Sequence, residues 1–555
     1  MRAAFLILML APLCPAGWTR VTSPQFEIFS DAGQGDIRQL SKLLAQISNI
    51  IPTDGPRTAR IFLFANEAEL RAYHDTADGF FESGVERDYM VLHAGPVSNP
   101  VVFHEFVHLV LSRSSTQPPL WFEEGTAELY STVEPSADRV RVGEPIPSHL
   151  ATLQRTRWLT AAELGAMTNQ SPEYAVRDRA SLFYAESWAL VHMLNLAPAW
   201  RDGMPGFALA LSAGRPPAEA FQSAFGRSID AALGDLPGYL RSMHSVTVGA
   251  PPPTQPETRT EALSTDRATR VLIDLALETN RRRQAHRLME AFAKQNPGSP
   301  DLPAVRASLA LAEGRQDEAL AGFEAAMRLG TRDASVYLEY AMLQQDRRAS
   351  RHDVDALLER AVALDPDFGA AQFLLGVRQT DDGNFTTAIE HLKLAVRARP
   401  RRSDYWHALG YAQFELGRAG DALISARRAV AVSETTTQED MAQALISLVE
   451  SPSVQPAVHR ASVTDVVTPS SWTNPKGDSR VEGTLERVDC DGNAASLLVR
   501  AADGTTALLH VDHPRQVELR NAAPGFEFSC GPQLQRVAVE YNSADGQVTR
   551  IEFLR

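Results

Sequence analysis

The sequence predicts a multidomain protein with three kinds of structure in series: an α+β domain over residues 17–245, an all-α repeat array over 263–436, and a small all-β domain over 476–555. Three observations predict it. A His-Glu-x-x-His segment on an apolar helix follows strand-like runs in the first part, small residues recur every 34 positions in the middle, and short alternating runs with Asp-Gly turns fill the end. At 555 residues the chain is too long for one core, and its 44% hydrophobic and 22% charged content is that of a globular protein. The net charge of −14 excludes general attraction to nucleic acid or anionic membrane surfaces.

Met1-Arg2 followed by the apolar run Ala3–Leu13 reads as a secretory signal peptide over residues 1–16, with cleavage after Ala16 and export to the periplasm or exterior. The run is too short to span a bilayer, and Leu13 stands before Cys14 where a lipoprotein would carry a small residue. No other segment predicts stable membrane insertion. Next, Val21–Phe29 and Ala59–Phe64 are rich in β-branched and aromatic residues and read as strands, with a helix over Ile37–Ile51 between them. Asp88–His93 reads as another strand, either at an edge where an extended peptide could pair with it or in the core.

The chemistry concentrates in Phe103-His104-Glu105-Phe106-Val107-His108 and in Leu120-Trp121-Phe122-Glu123-Glu124-Gly125. Residues four apart on a helix share a face, so His104 and His108 present two imidazoles together, with Glu105 about 100° around from His104. Glu124, on a second helix, completes a His₂Glu set that leaves zinc's fourth position open for water. In a mostly apolar helix such polar groups are costly unless a metal or hydrogen bonds satisfy them. Glu128, four residues beyond Glu124, reads either as the acceptor of a liganding imidazole's outer N–H or as a solvated helix carboxylate.

These residues resemble the gluzincins, and within them the peptidase MA-like family of exported bacterial proteins, often fused to tetratricopeptide repeats. The likeness rests on His104–His108, on Leu120–Ala127 and on Phe183-Tyr184-Ala185-Glu186-Ser187-Trp188, within about residues 18–245. It implies a zincin-like fold with one catalytic zinc ion (Zn²⁺) on His104, His108 and Glu124. It also implies Glu105 as general base and Tyr184 as oxyanion stabiliser, a role suited to a phenol O–H. Tyr184 read alone is equally a core aromatic on an amphipathic helix. Nothing between Glu86 and Pro100 matches the Gly-x-Met-x-Asn segment with which aminopeptidase-N-like members hold a free amino terminus, so exopeptidase activity is not implied.

Helical periodicity continues from Thr160 to Met243, and the proline-rich 246–262 reads as a linker. Beyond it Ala285, Ala319, Ala388 and Ala422 recur at intervals of 34, 69 and 34, in step with Gly314, Gly383 and Gly417 and with Pro297, Pro366 and Pro400. Small residues at helix crossings, glycine in the turn and proline after the second helix resemble about five tetratricopeptide repeats, which stack into a superhelix with a concave protein-binding face. Residues 437–475 read as a second linker. The last 80 residues predict a small barrel or sandwich, in which Cys490 and Cys530 are either a disulfide or two buried thiols.

The expected function is an exported zinc metallopeptidase that hydrolyses peptide or protein substrates with zinc-activated water and docks substrates or a protein partner on its repeats. The rival expectation is a non-catalytic protein-binding scaffold with a vestigial zincin domain. A zinc hydrolase of non-peptide amides would use the same residues.

Overall fold

The computed structural model describes residues 17–51, 58–75, 77–84, 87–95, 99–136, 138–168, 171, 177–249, 257–347, 349–451, 479–491, 494–501, 505–511, 517–520, 531–542 and 546–553. The signal peptide and the Cys490–Cys530 pairing lie outside what is described. Two compact units form: Met1–Ala312 with Gln316–Ala461, and Ser462–Arg555 with Glu313–Arg315. Among the described residues no helix is long and apolar enough to cross a membrane.

The first unit is built on a six-stranded sheet of β1 (Thr19–Thr22), β2 (Phe26–Ser30), β3 (Ala59–Phe64), β4 (Gly79–Ser83), β5 (Asp88–His93) and β9 (Arg259–Ala262), in the order β4-β5-β3-β2-β1-β9. The central strands β2, β3 and β5 run parallel, whereas β4, β1 and β9 are antiparallel to their neighbours. Parallel strands are stable when both faces are covered, and side chains alternate accordingly. Ile28, Ile61, Leu63, Met90 and Leu92 pack with helices α1 (Gln34–Ile50) and α3 (Asn99–Ser112) in the larger core, the one-turn α2 (Glu67–Leu70) lying between β3 and β4 in sequence. Phe29, Phe62, Phe64, Tyr89 and Val91 face the other way, where Leu263 and residues of α11 (Thr265–Glu278), α12 (Arg282–Gln295) and α13 (Leu302–Ala312) cover them.

This differs from the predicted separation of a 17–245 domain from its repeats. Of the segment read as a linker over 246–262, both ends are strands: β8 (Val246–Gly249) pairs with β7 (Arg139–Val142), which also pairs with β6 (Glu134–Pro135), and β9 extends the main sheet beyond β1. The strand over Asp88–His93 is internal, flanked by β4 and β3, so the edge-strand expectation for it is corrected in favour of the core alternative. Among the described strands the edges of the sheet are β4 and β9.

Around the site stand α4 (Leu120–Ser131), α5 (Pro147–Arg155), α6 (Ala161–Ala166) and the long α7 (Arg177–Leu196), followed by α8 (Met204–Ser212), α9 (Pro217–Phe225) and α10 (Ile229–Leu240). After α11–α13 the array continues through α14 (Gln316–Arg328), α15 (Ala334–Asp346), α16 (Arg351–Leu364), α17 (Gly369–Asp381), α18 (Phe385–Ala398), α19 (Ser403–Glu415) and α20 (Ala419–Ala431) as successive helix pairs. The recurring alanines are buried at the crossings, and Gly314, Gly383 and Gly417 take left-handed φ of 75°, 76° and 77° in the inter-helix turns. The second linker prediction also gives way in part: Thr436–Glu450 is a further helix, α21, which packs on α20 and buries Ala442 and Leu445.

The array returns to the domain it starts from. Arg428 on α20 donates to the Ser212 carbonyl at the end of α8, and Gly214 lies close to Ala431. The second unit is an all-β sheet of β10 (Ser479–Asp491), β11 (Ala494–Ala501), β12 (Thr506–Val511), β13 (Glu518–Arg520), β14 (Gly531–Tyr541) and β15 (Val548–Phe553), in the order β12-β11-β10-β14-β15-β13. It curls so that the His510 N–H of β12 donates to the Gly546 carbonyl just before β15.

Candidate metal centre

Helix α3 is held beneath the sheet by Val102, Phe103, Phe106 and Leu109, all fully buried, which leaves His104 and His108 facing a cleft. Their Nε2 atoms are 3.1 Å apart. Helix α4 brings Glu124 to the pair, its Oε2 lying 3.6 Å from His104 Nε2 and 3.4 Å from His108 Nε2. Gly125 sets that approach. A Cβ there would stand 2.3 Å from the Ser187 carbonyl oxygen and 2.6 Å from Val191 Cγ2 on α7, so any side chain would push α4 outward and Glu124 with it.

The ligand-type atoms of His104, His108 and Glu124 all lie within 4.8 Å of one another. Tetrahedral zinc with bonds of about 2.0–2.1 Å would hold its donors about 3.3 Å apart, against the 3.1, 3.4 and 3.6 Å found. The residues fit the ion. Electrostatics point the same way: burial alone would lower the His104 pKa, yet the adjacent carboxylates of Glu124, Glu105 and Glu128 hold it up at about 9. Burial would raise Glu124, but the imidazoles of His104 and His108 beside it hold it far below the usual carboxylate range. The site favours a cation.

Glu105 lies beside this set. Burial raises its pKa, opposed by the charges of the two histidines and by a hydrogen bond from the Phe81 N–H of β4. Glu128 stands where the outer nitrogen of His104 points, its Oε1 3.6 Å from His104 Nδ1 and its Oε2 3.3 Å from His149 Nε2 on α5. His149 was not legible in the sequence, because it lies on a separate helix with no recurring spacing to the motif. Tyr184 is half-buried on α7 and lines the same cleft as His104, Glu105 and Glu124.

The cleft measures about 1160 Å³. One side is the β4 edge from Gly79 to Gly84, and another is the repeat loop Arg397–Arg402 between α18 and α19. Two ion pairs seat that loop: Arg399 Nη1 donates to Asp88 Oδ1 at 2.6 Å, and Arg401 Nη2 to Glu123 Oε1, next to Glu124 in sequence, at 2.7 Å. Nothing in sequence spacing announces contacts between residues 311 and 278 apart.

The tetratricopeptide repeat family matches residues 270–334, 340–401 and 378–435, so this part of the chain is a repeat-built protein-interaction scaffold. His104, His108 and Glu124 lie outside the matched residues. No curated protein compared with the chain matches it. Among solved structures, the chain is similar to YrrB, described as a TPR protein with an unusual peptide-binding site, at 15% identity over 32% of this chain and 91% of that one, with a TM-score of 0.26. It is also similar to PilW, a type IV pilus biogenesis factor, at 21% identity over 33% of this chain and 87% of that one, TM-score 0.28. MamA from Desulfovibrio magneticus RS-1 matches at 17% identity over 30% and 94%, TM-score 0.25.

Proposed function

We propose that the chain is an exported, zinc-dependent metallopeptidase of the gluzincin, peptidase MA-like type, whose repeat scaffold builds part of the substrate cleft. The observation that carries the proposal is the His104, His108 and Glu124 set at tetrahedral spacing, with the half-buried carboxylate of Glu105 beside it. When bound, zinc supplies Lewis acidity that brings water toward ionisation at neutral pH and polarises a carbonyl. Glu105 takes the proton from the attacking water and delivers it to the leaving amine, and its raised pKa suits that shuttle. The Tyr184 hydroxyl donates to the oxygen that gains charge in the transition state. Glu128 orients His104 through Nδ1, and His149 restrains the other oxygen of Glu128. An extended substrate lies along the free edge of β4, whose Phe81 N–H already reaches Glu105.

The rival reading is a protein-binding scaffold without catalysis, and the repeat match over residues 270–435 favours it because that is the part of the chain with a family assignment. The two separate on one experiment. In the peptidase reading, purified Glu105→Gln retains zinc while hydrolysis of a quenched fluorescent peptide falls by about 10²-fold or more, since Gln keeps the volume but cannot accept the proton. Unmutated protein with no measurable turnover would leave the scaffold reading in place, and turnover within tenfold in Glu105→Gln would remove Glu105 as the base.

A further inference from the structure

Two guanidinium groups share a single carboxylate in the wall of the cleft. Asp88 Oδ1 accepts from Arg399 Nη1 at 2.6 Å, and Asp88 Oδ2 accepts from Arg113 Nε at 3.2 Å. Both arginine side chains are 10% exposed and that of Asp88 is 3% exposed. Among the described residues neither arginine has another ion-pair partner, so the trio carries a net positive charge where little water reaches. Three nitrogens, Arg113 Nη2 and Arg399 Nε and Nη2, have no hydrogen-bond partner among the described residues. Buried donors left unmade cost about 1–3 kcal/mol each, and more when charged. Burial and the neighbouring Arg399 charge both push the Arg113 pKa down against the pull of Asp88, a further sign of a missing anion.

We propose that Arg113 and Arg399 form a carboxylate-binding subsite of the cleft, which holds a peptide by a free C-terminal carboxylate or by an Asp or Glu side chain. Arg113, Arg399 and Asp88 line the same cleft as His104, Glu105 and Tyr184, and the planar guanidinium fork matches a carboxylate. Asp88 fixes the two arginines, leaving their remaining N–H groups for the ligand. Because Arg113 follows the metal helix and Arg399 comes from the repeat loop, the subsite exists only while that loop is seated. The scaffold then acts on substrate choice by supplying half of an anion site. This inference rests on the peptide-cleft reading but not on hydrolysis.

The test uses full-length Glu105→Gln protein and fluorescence anisotropy with one labelled extended peptide in three forms: free acid with an internal Asp, the same peptide amidated at its C-terminus, and the same peptide with Asp replaced by Asn. Loss of the carboxylate the subsite uses weakens binding by about tenfold or more, and which form weakens identifies the source. Arg113→Gln and Arg399→Gln each abolish the difference between the forms while leaving the weakest-binding form within about threefold, and Arg113→Lys keeps part of it. The difference survives chelation of metal, so it is readable whatever the metal content. Equal affinity of all three forms for the Glu105→Gln chain, no measurable binding of the free acid, or a difference undiminished in both Gln variants overturns the proposal. If either Gln variant fails to fold, the three peptides on the otherwise unmutated chain still decide. A folded chain that prefers the acidic forms yet holds no zinc would keep the subsite and lose the peptidase.

Discussion

Cutting the chain after Gly249 removes β9 and all of the repeats, and the structure predicts that the remaining fragment does not fold. Trp18, Phe29, Phe62, Phe64, Tyr73, Tyr89 and Val91 are all at most 3% exposed, and their common core is completed by Leu263, Leu272, Ile273, Leu288, Val305 and Leu309 from the part removed. Fully uncovering an apolar side chain of this size forfeits about 1.5–3 kcal/mol. Seven of them represent about 10–20 kcal/mol as an upper bound, and even half of that rivals the whole stability of a typical domain, about 5–15 kcal/mol. The fragment also loses the β1–β9 ladder and the bond from the Leu263 N–H to the Trp18 carbonyl. The assay is near-UV circular dichroism and urea unfolding of residues 17–249 beside the full chain. The predicted result is a non-cooperative transition with exposed apolar surface; cooperative unfolding at a midpoint near that of the full chain, with metal retained, would refute the shared-core reasoning.

Two other substitutions test individual side chains. Tyr184→Phe should lower kcat at least tenfold with little change in KM, because a hydroxyl aimed at the oxyanion acts only in the transition state; steady-state kinetics with an unchanged kcat would return Tyr184 to a packing role. Glu186 is fully buried on α7, where burial, aided by the charge of Glu163 and opposed by the Leu159 N–H at 2.8 Å, pushes its pKa up to about 7. Its folded pKa lies above the unfolded one, so the fold favours the protonated acid and stability falls as pH rises from the ordinary carboxylate range through about 7. Glu186→Gln should therefore remove a slope worth up to about 3 kcal/mol and stabilise the protein at pH 8. Thermal melts with the same pH slope in both proteins would contradict it.

What was legible in the sequence was local. His104 and His108 declare themselves because a helix turns every 3.6 residues, and Glu124 with Glu128 for the same reason. The repeats declare themselves because a close helix crossing accepts only small residues, so Ala319, Ala388 and Ala422 recur at fully buried positions. Even the α4–α7 contact left a trace, in the glycine after Glu124. What was not legible was long-range pairing. A run such as Ile61–Phe64 is apolar at every position because both faces of the sheet are covered, but the run cannot say that the second cover is the first repeats. Likewise a proline-rich stretch reads as a tether whether it hangs free or, as here, connects two paired strands. The sequence left Asp88–His93 open between edge and core because β4, which lies outside it, is only five residues long and ends in exposed residues. Arg399 and Arg401 carry no sequence signal of their pairing, because their partners Asp88 and Glu123 lie hundreds of residues away.

The central claim is that His104, His108 and Glu124 hold a catalytic zinc ion, and its most direct test is the metal content of the purified full-length protein with and without Glu124→Ala, by elemental mass spectrometry. The account predicts near-stoichiometric zinc in the unmutated chain and its loss in a variant that remains folded by circular dichroism, because two imidazoles alone leave a closed-shell cation short of a ligand. Folded, unmutated protein that takes up no zinc, or zinc that stays after Glu124→Ala, would contradict it.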